Sequence, residues 1–126
     1  MESNILVIDE GNGEGESLAS ALRLAGLGAE GAGPDAGAIR KMSAMALNLL
    51  ILVLDDGRSD AIAFATTIAR VHGVPVLVLV NGSAEGLPRR LAEIRHVKDV
   101  LRRPVPRPWL MAAIDRCIMA SPASAR

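Results

Sequence analysis

Two acidic pairs are the groups in this chain best suited to chemistry. Asp9-Glu10 follows the apolar run at residues 4–8 (NILVI), and Asp55-Asp56 follows the apolar run Leu49–Leu54. Four carboxylates gathered in one place repel one another, which raises their pKa values and costs stability unless a cation neutralises them. Mg²⁺ suits such a site, because it takes hard oxygen ligands and usually keeps several waters. The plainer alternative is four solvated acids at the ends of strands.

Other reactive side chains offer less. Gly11 to Glu16 (GNGEGE) sits where a dinucleotide loop would lie, but Glu16 stands where that fingerprint needs its third glycine. Glu14 and Glu16 would also repel a pyrophosphate, so a flexible loop is the expectation. The sequence contains no Walker A loop. His72 and His96 lie in different segments without a Cys or Ser partner. Cys117, the only cysteine, falls on an apolar helical stripe and is expected in the core. Trp109 could equally pack inside or anchor a partner.

The elements that must position the acids follow from hydrophobic period. Five strand-length apolar runs alternate with helical segments: residues 4–8, a weak Gly-containing run at 28–32, 49–54, 75–80 and 98–101. Helices are expected at 17–25, with Leu18, Ala21, Leu22 and Ala25 inward, and after an Asp35 N-cap, with Ile39, Met42 and Ala46 inward. A third follows a Ser59 or Asp60 cap, with Ile62, Ala65, Ile68 and Ala69 inward, and ends at His72-Gly73. A short fourth spans 87–94. The last runs from 108 to 119 with Leu110, Ala113, Ile114 and Cys117 inward.

Five βα units in a row imply an α/β fold: a flavodoxin-like, doubly wound parallel sheet of five strands in the order 2-1-3-4-5, with helices on both faces. Residues 1–119 form the single expected domain, and 120–126 (SPASAR with its preceding Ala) a disordered tail. Ligands in such sheets bind beyond the strand C-termini where the order reverses, between strands one and three. That point falls at Asp9, Glu10, Asp55 and Asp56.

Composition narrows the class further. Half of the 126 residues are hydrophobic but only Phe64 and Trp109 are aromatic, so Leu, Ile, Val and Ala must fill the core. The apolar runs are too short to span a bilayer, and no basic-then-apolar leader opens the sequence, so a cytoplasmic protein without membrane contact is expected. A lone cysteine excludes an intramolecular disulfide. Net charge is zero, yet residues 1–60 carry ten acids against four bases and residues 61–126 four acids against ten bases. Such asymmetry suggests faces with different partners, although charge runs are often simply solvated.

ILVIDE, a helix, LVLDDG, VPVLVLV and finally VLRRPV before a last helix resemble the response-regulator receiver domain, over residues 4 to about 119. The resemblance implies that Asp9 and Glu10 bind Mg²⁺ and that an Asp at the end of strand three accepts a phosphoryl group from a histidine kinase or phosphotransfer protein. It also implies a hydroxyl residue after strand four and a Lys before a Pro after strand five, both sensing the phosphate.

Several positions depart from that pattern. Without gaps, Val53 falls where the phosphoacceptor belongs, and Asp55 takes the role only if strand three is two residues longer. Asp56 is the reserve acceptor. The hydroxyl position is Val80, or Ser83 with a shift, and the Lys position is Arg103. Valine cannot be a nucleophile, and the planar guanidinium does not reproduce a compact ammonium.

The functional expectation is therefore a stand-alone receiver or pseudo-receiver in phosphorelay signalling, working through protein contacts rather than as an enzyme. If Asp55 is phosphorylated, Mg²⁺ held by Asp9, Glu10 and Asp55 would neutralise the transferring group and Arg103 would pair with the acyl phosphate. A phosphorylation-independent adaptor of the same fold is the alternative, and a small flavin- or nucleotide-binding protein a more distant one. The resemblance places an output partner, or a second copy, on the basic face between residues 85 and 116. No helix-turn-helix or aromatic platform accompanies those bases, so nucleic acid is not an expected partner.

Overall fold

The computed structural model describes residues 4–9, 14–33, 35–44, 46–54, 59–81 and 94–119. The described residues form nine elements: β1 (Asn4–Asp9), α1 (Glu14–Leu24), β2 (Gly28–Ala32), α2 (Ala36–Ser43), β3 (Leu49–Leu54), α3 (Ser59–His72), β4 (Val76–Asn81), β5 (Val97–Arg103) and α4 (Arg107–Met119). The strands form one sheet, every pairing parallel, in the order β2-β1-β3-β4-β5. This is the expected topology. The helix expected at 87–94 falls almost wholly outside the described residues, as does the tail.

The continuous apolar strands reflect burial on both faces. Leu6, Ile8, Leu50, Leu52, Leu54, Val76, Val78 and Val80 point into one layer with Ala38 and Met42 of α2 and Ala65, Ile68 and Ala69 of α3. Their neighbours Ile5, Val7, Leu49, Ile51, Val53, Leu77 and Leu79 point into the other, with Ala19 and Leu22 of α1 and Leu110, Ala113, Ile114 and Cys117 of α4. Each fully buried Leu, Ile or Val stabilises the fold by about 1.5–3 kcal/mol over an exposed one. Cys117 is a core residue, as its stripe implied.

The helix ends follow local chemistry. Asp35 caps α2 by accepting the Gly37 N–H at 2.9 Å. Gly26 (φ 93°) and Gly73 (φ 65°) close α1 and α3 in the left-handed conformation that glycine adopts without steric cost. After each, a backbone N–H returns to the helix, Leu27 to the Leu22 carbonyl at 3.0 Å and Val74 to that of Ala69 at 3.1 Å.

Two helices depart from expectation. α1 begins at Glu14, so the end of the Gly-rich segment is helix rather than loop, and Ala19 and Leu22 are its buried residues while Ala25 is exposed. In α2 the buried pair is Ala38 and Met42. Ile39 is half exposed, and Ala46 lies beyond the helix end at Ser43. β5 is longer than its apolar core, because Arg102 and Arg103 continue the pairing with β4.

Candidate functional site

At the C-terminal edge of the sheet β1 and β3 lie side by side, and their register decides which side chains meet. That register is set at the opposite end. The Asn4 N–H donates to Asn48 Oδ1 at 2.8 Å, the Asn48 N–H returns to the Asn4 carbonyl at 2.8 Å, and Asn4 Nδ2 donates to the Ala46 carbonyl at 3.0 Å. Ile5 then pairs with Leu49, and four residues on Asp9 pairs with Val53. Paired residues of parallel strands present their side chains to the same face, so Val53 lies beside Asp9 and packs in the α1–α4 layer, 2% exposed.

Asp9 is the one buried charged residue among those described, 7% exposed. Its Oδ2 accepts the Gly15 N–H in the first turn of α1 at 2.6 Å. A helix N-terminus presents unpaired N–H groups and a partial positive charge, and both favour a carboxylate. The contact requires glycine, because a Cβ at position 15 would stand 2.6 Å from Oδ2. Sequence reading missed Gly15, whose only signal was a glycine six residues after a strand-end acid.

Arg103 reaches the same edge from β5. Its Nη2 donates to the Leu54 carbonyl at 3.0 Å, crossing β4 to hold the end of β3. The peptide that follows, Arg103–Pro104, is cis. Val80 is fully buried and pairs with Leu54, on the opposite layer from Val53. It presents hydrocarbon where the resemblance implies a hydroxyl. Glu10, Asp55, Asp56 and Ser83 lie outside the described residues.

Among the described residues, then, this edge offers the carboxylate of Asp9, with one oxygen on the α1 amide, and the hydrocarbon of Val53 beside it. Mg²⁺ needs several oxygens in near-octahedral array, and of the carboxylates expected to supply them only that of Asp9 lies within the described residues. No group of three His, Cys, Asp or Glu among the described residues could hold a metal. Chemically, the described part of the site is a buried, helix-capping carboxylate and an arginine tie across two strands.

A second feature lies on the β5–α4 side. Trp109 in the first turn of α4 is 69% exposed, so it does not pack in the core. It lines a shallow cavity of about 270 Å³ with Leu101, Ala112 and Arg116. Arg116 pairs with Asp99 at 2.9 Å, while Lys98, Arg102 and Arg107 are exposed on the same two elements. Among the described residues no helix is long and apolar enough to cross a membrane.

No protein-family description and no curated protein matches the chain. Solved structures do. The chain is similar to NtrX from Brucella abortus in complex with ADP (TM-score 0.81, 21% identity), covering 99% of this chain but 28% of that one. It resembles the receiver domain of the same NtrX (TM-score 0.76, 22% identity, 94% of this chain and 100% of that one). A response regulator from Thermotoga maritima is similar over 95% of this chain and 100% of its own length (TM-score 0.77, 16% identity). The chain has the flavodoxin-like fold of response-regulator receiver domains.

Proposed function

We propose that the chain is a pseudo-receiver: a two-component signalling module that acts through protein–protein contacts and accepts no phosphoryl group, with no enzymatic activity of its own. The observation that carries this reading is the register of β1 against β3, which puts Val53 beside Asp9. A phosphoacceptor must be a nucleophile at the sheet edge next to the acidic cluster, and valine has no group to attack with. Arg103 supports the same reading, since its guanidinium holds the Leu54 carbonyl.

Contact with an output partner is assigned to the β5–α4 face, where exposed Trp109 and Arg116 line the cavity. Exposed tryptophan and arginine are the residues that most often dominate binding energy at interfaces. A cytoplasmic location fits a partner of such a signalling module.

Intact mass after incubation with acetyl phosphate and Mg²⁺ tests the reading, with Asp55→Ala and Asp56→Ala beside the wild type. The expected wild-type result is no adduct. One added phosphoryl group that vanishes in one of the two variants would instead establish a working receiver and name its acceptor.

A further inference from the structure

Among the described residues β2 is an edge strand, paired with β1 on one side only. An open edge exposes a row of unpaired N–H and C=O groups to which another strand can add. Here side chains occupy that row. Arg23 of α1 donates from Nη1 to the Ala29 carbonyl at 2.6 Å, and Lys41 of α2 donates from Nζ to the Gly31 carbonyl. Residues two apart in a strand direct their carbonyls to the same edge. The Ala29 and Gly31 carbonyls on this edge thus both accept from side chains. This parity identifies the Ala29 and Gly31 edge as the open one.

On the α1 side the side chains form one connected unit. Arg23 Nη2 holds Glu16 Oε1 at 2.9 Å and Ser20 Oγ at 3.0 Å, so the guanidinium is fixed by α1 while its other arm caps β2. α1 and α2 pack on opposite faces of the sheet, so the cations close on the edge from both sides. The close approach needs glycine at position 31, where a Cβ would stand 2.8 Å from Glu16 Oε2 and 2.9 Å from Glu16 Cα.

The geometry points to Glu16, Arg23 and Lys41 acting as a side-chain clasp that takes the place of a sixth strand and closes the β2 edge to pairing with β2 of a second copy. Self-association, where it occurs, uses another face of the molecule. Removing the two cationic caps opens the edge, and β2 then pairs with β2 of another molecule.

The test compares wild type with Arg23→Met/Lys41→Met, which keeps the aliphatic stems and removes the caps, and with the exchange Arg23→Lys/Lys41→Arg, which keeps both cations. Sedimentation velocity over a concentration series is expected to show the Met variant moving toward twice the mass of the wild-type species. Amide exchange should then show new protection at Ala29 and Gly31, and the exchange variant should stay with the wild type. A folded Met variant that sediments as the wild type does overturns the proposal, as does a wild-type dimer protected along β2. If the double variant loses its far-UV signal, Lys41→Met alone carries the test, and an unchanged mass overturns the proposal there too.

Discussion

Asp9 and Val53 are direct partners in the β1–β3 register, a buried carboxylate and a buried isopropyl group on the same face of the sheet. The pairing explains how the edge is stable with an acid inside it. Asp9 has the α1 amide for a partner, and Val53 adds no second charge to repel it.

Val53→Asp is therefore expected to fold but to lose about 1–3 kcal/mol at neutral pH, because it desolvates a second carboxylate next to Asp9. Burial and the neighbouring charge raise the folded pKa of the new group. Its cost should accordingly be smallest below the ordinary carboxylate range and grow as pH rises. Urea unfolding at pH 4.0 and 7.5 (roughly either side of the shifted value) reads the difference, and equal losses at the two values would contradict the argument.

Arg103→Met removes the donor to the Leu54 carbonyl while keeping much of the apolar stem. A loss of about 1–3 kcal/mol is expected, the range for a partly buried acceptor left without its charged partner. Because Trp109 is the sole tryptophan and begins the next helix, its fluorescence should shift with the same substitution. Unchanged emission together with unchanged stability would show that the tie has no role.

Gly15→Ala should destabilise by about 1–3 kcal/mol, although alanine normally favours a helix. The added methyl meets the Asp9 carboxylate at 2.6 Å, and the strain outweighs the helical preference. Thermal unfolding of this variant beside Gly15→Ala/Asp9→Ala checks the cause, since deleting the carboxylate should recover part of the loss.

Cys117 is expected to resist thiol reagents in the folded state. Burial, with a smaller contribution from the Asp99 charge, pushes its thiol up to about 11, and it is 1% exposed. The thiolate is the reactive form. Labelling at pH 8 should follow the rate of opening and become fast in denaturant, whereas rapid native labelling would mean that α4 undocks readily.

Glu16 is held below its ordinary carboxylate range, chiefly by the hydrogen bond from Arg23. A lowered folded pKa stabilises above the unfolded value of 4.5 and ceases to do so as pH falls through the folded one. Glu16→Gln should therefore flatten the acid limb of the stability profile below pH 4.5 and leave its slope near neutrality unchanged.

Much of the architecture was legible in the sequence. The uninterrupted runs LLILVL and VLVLV can be satisfied only by strands covered on both faces, and Gly26, Asp35 and Gly73 mark helix ends by their own backbone chemistry. Alternation of such runs with helical periods leaves few topologies, and the observed strand order is among them. Leu110, Ala113, Ile114 and Cys117 were likewise recognisable as the buried stripe of α4, because the period of that helix is uninterrupted.

Local pattern could not place side chains that meet across the sheet. Whether Val53 or a later acid lies beside Asp9 depends on a register fixed by Asn4 and Asn48, which are 44 residues apart and far from the site. The inward face of α1 depended on where its first turn began, and that turn is anchored by Asp9 from the preceding strand. The β2 clasp joins Glu16, Arg23 and Lys41 from two helices on opposite faces. The sequence by itself determined which segments are strands and helices, because burial and backbone conformation act within a few residues. Only the tertiary structure decided which residues became neighbours, because that depends on strand register and on helices meeting around a shared edge.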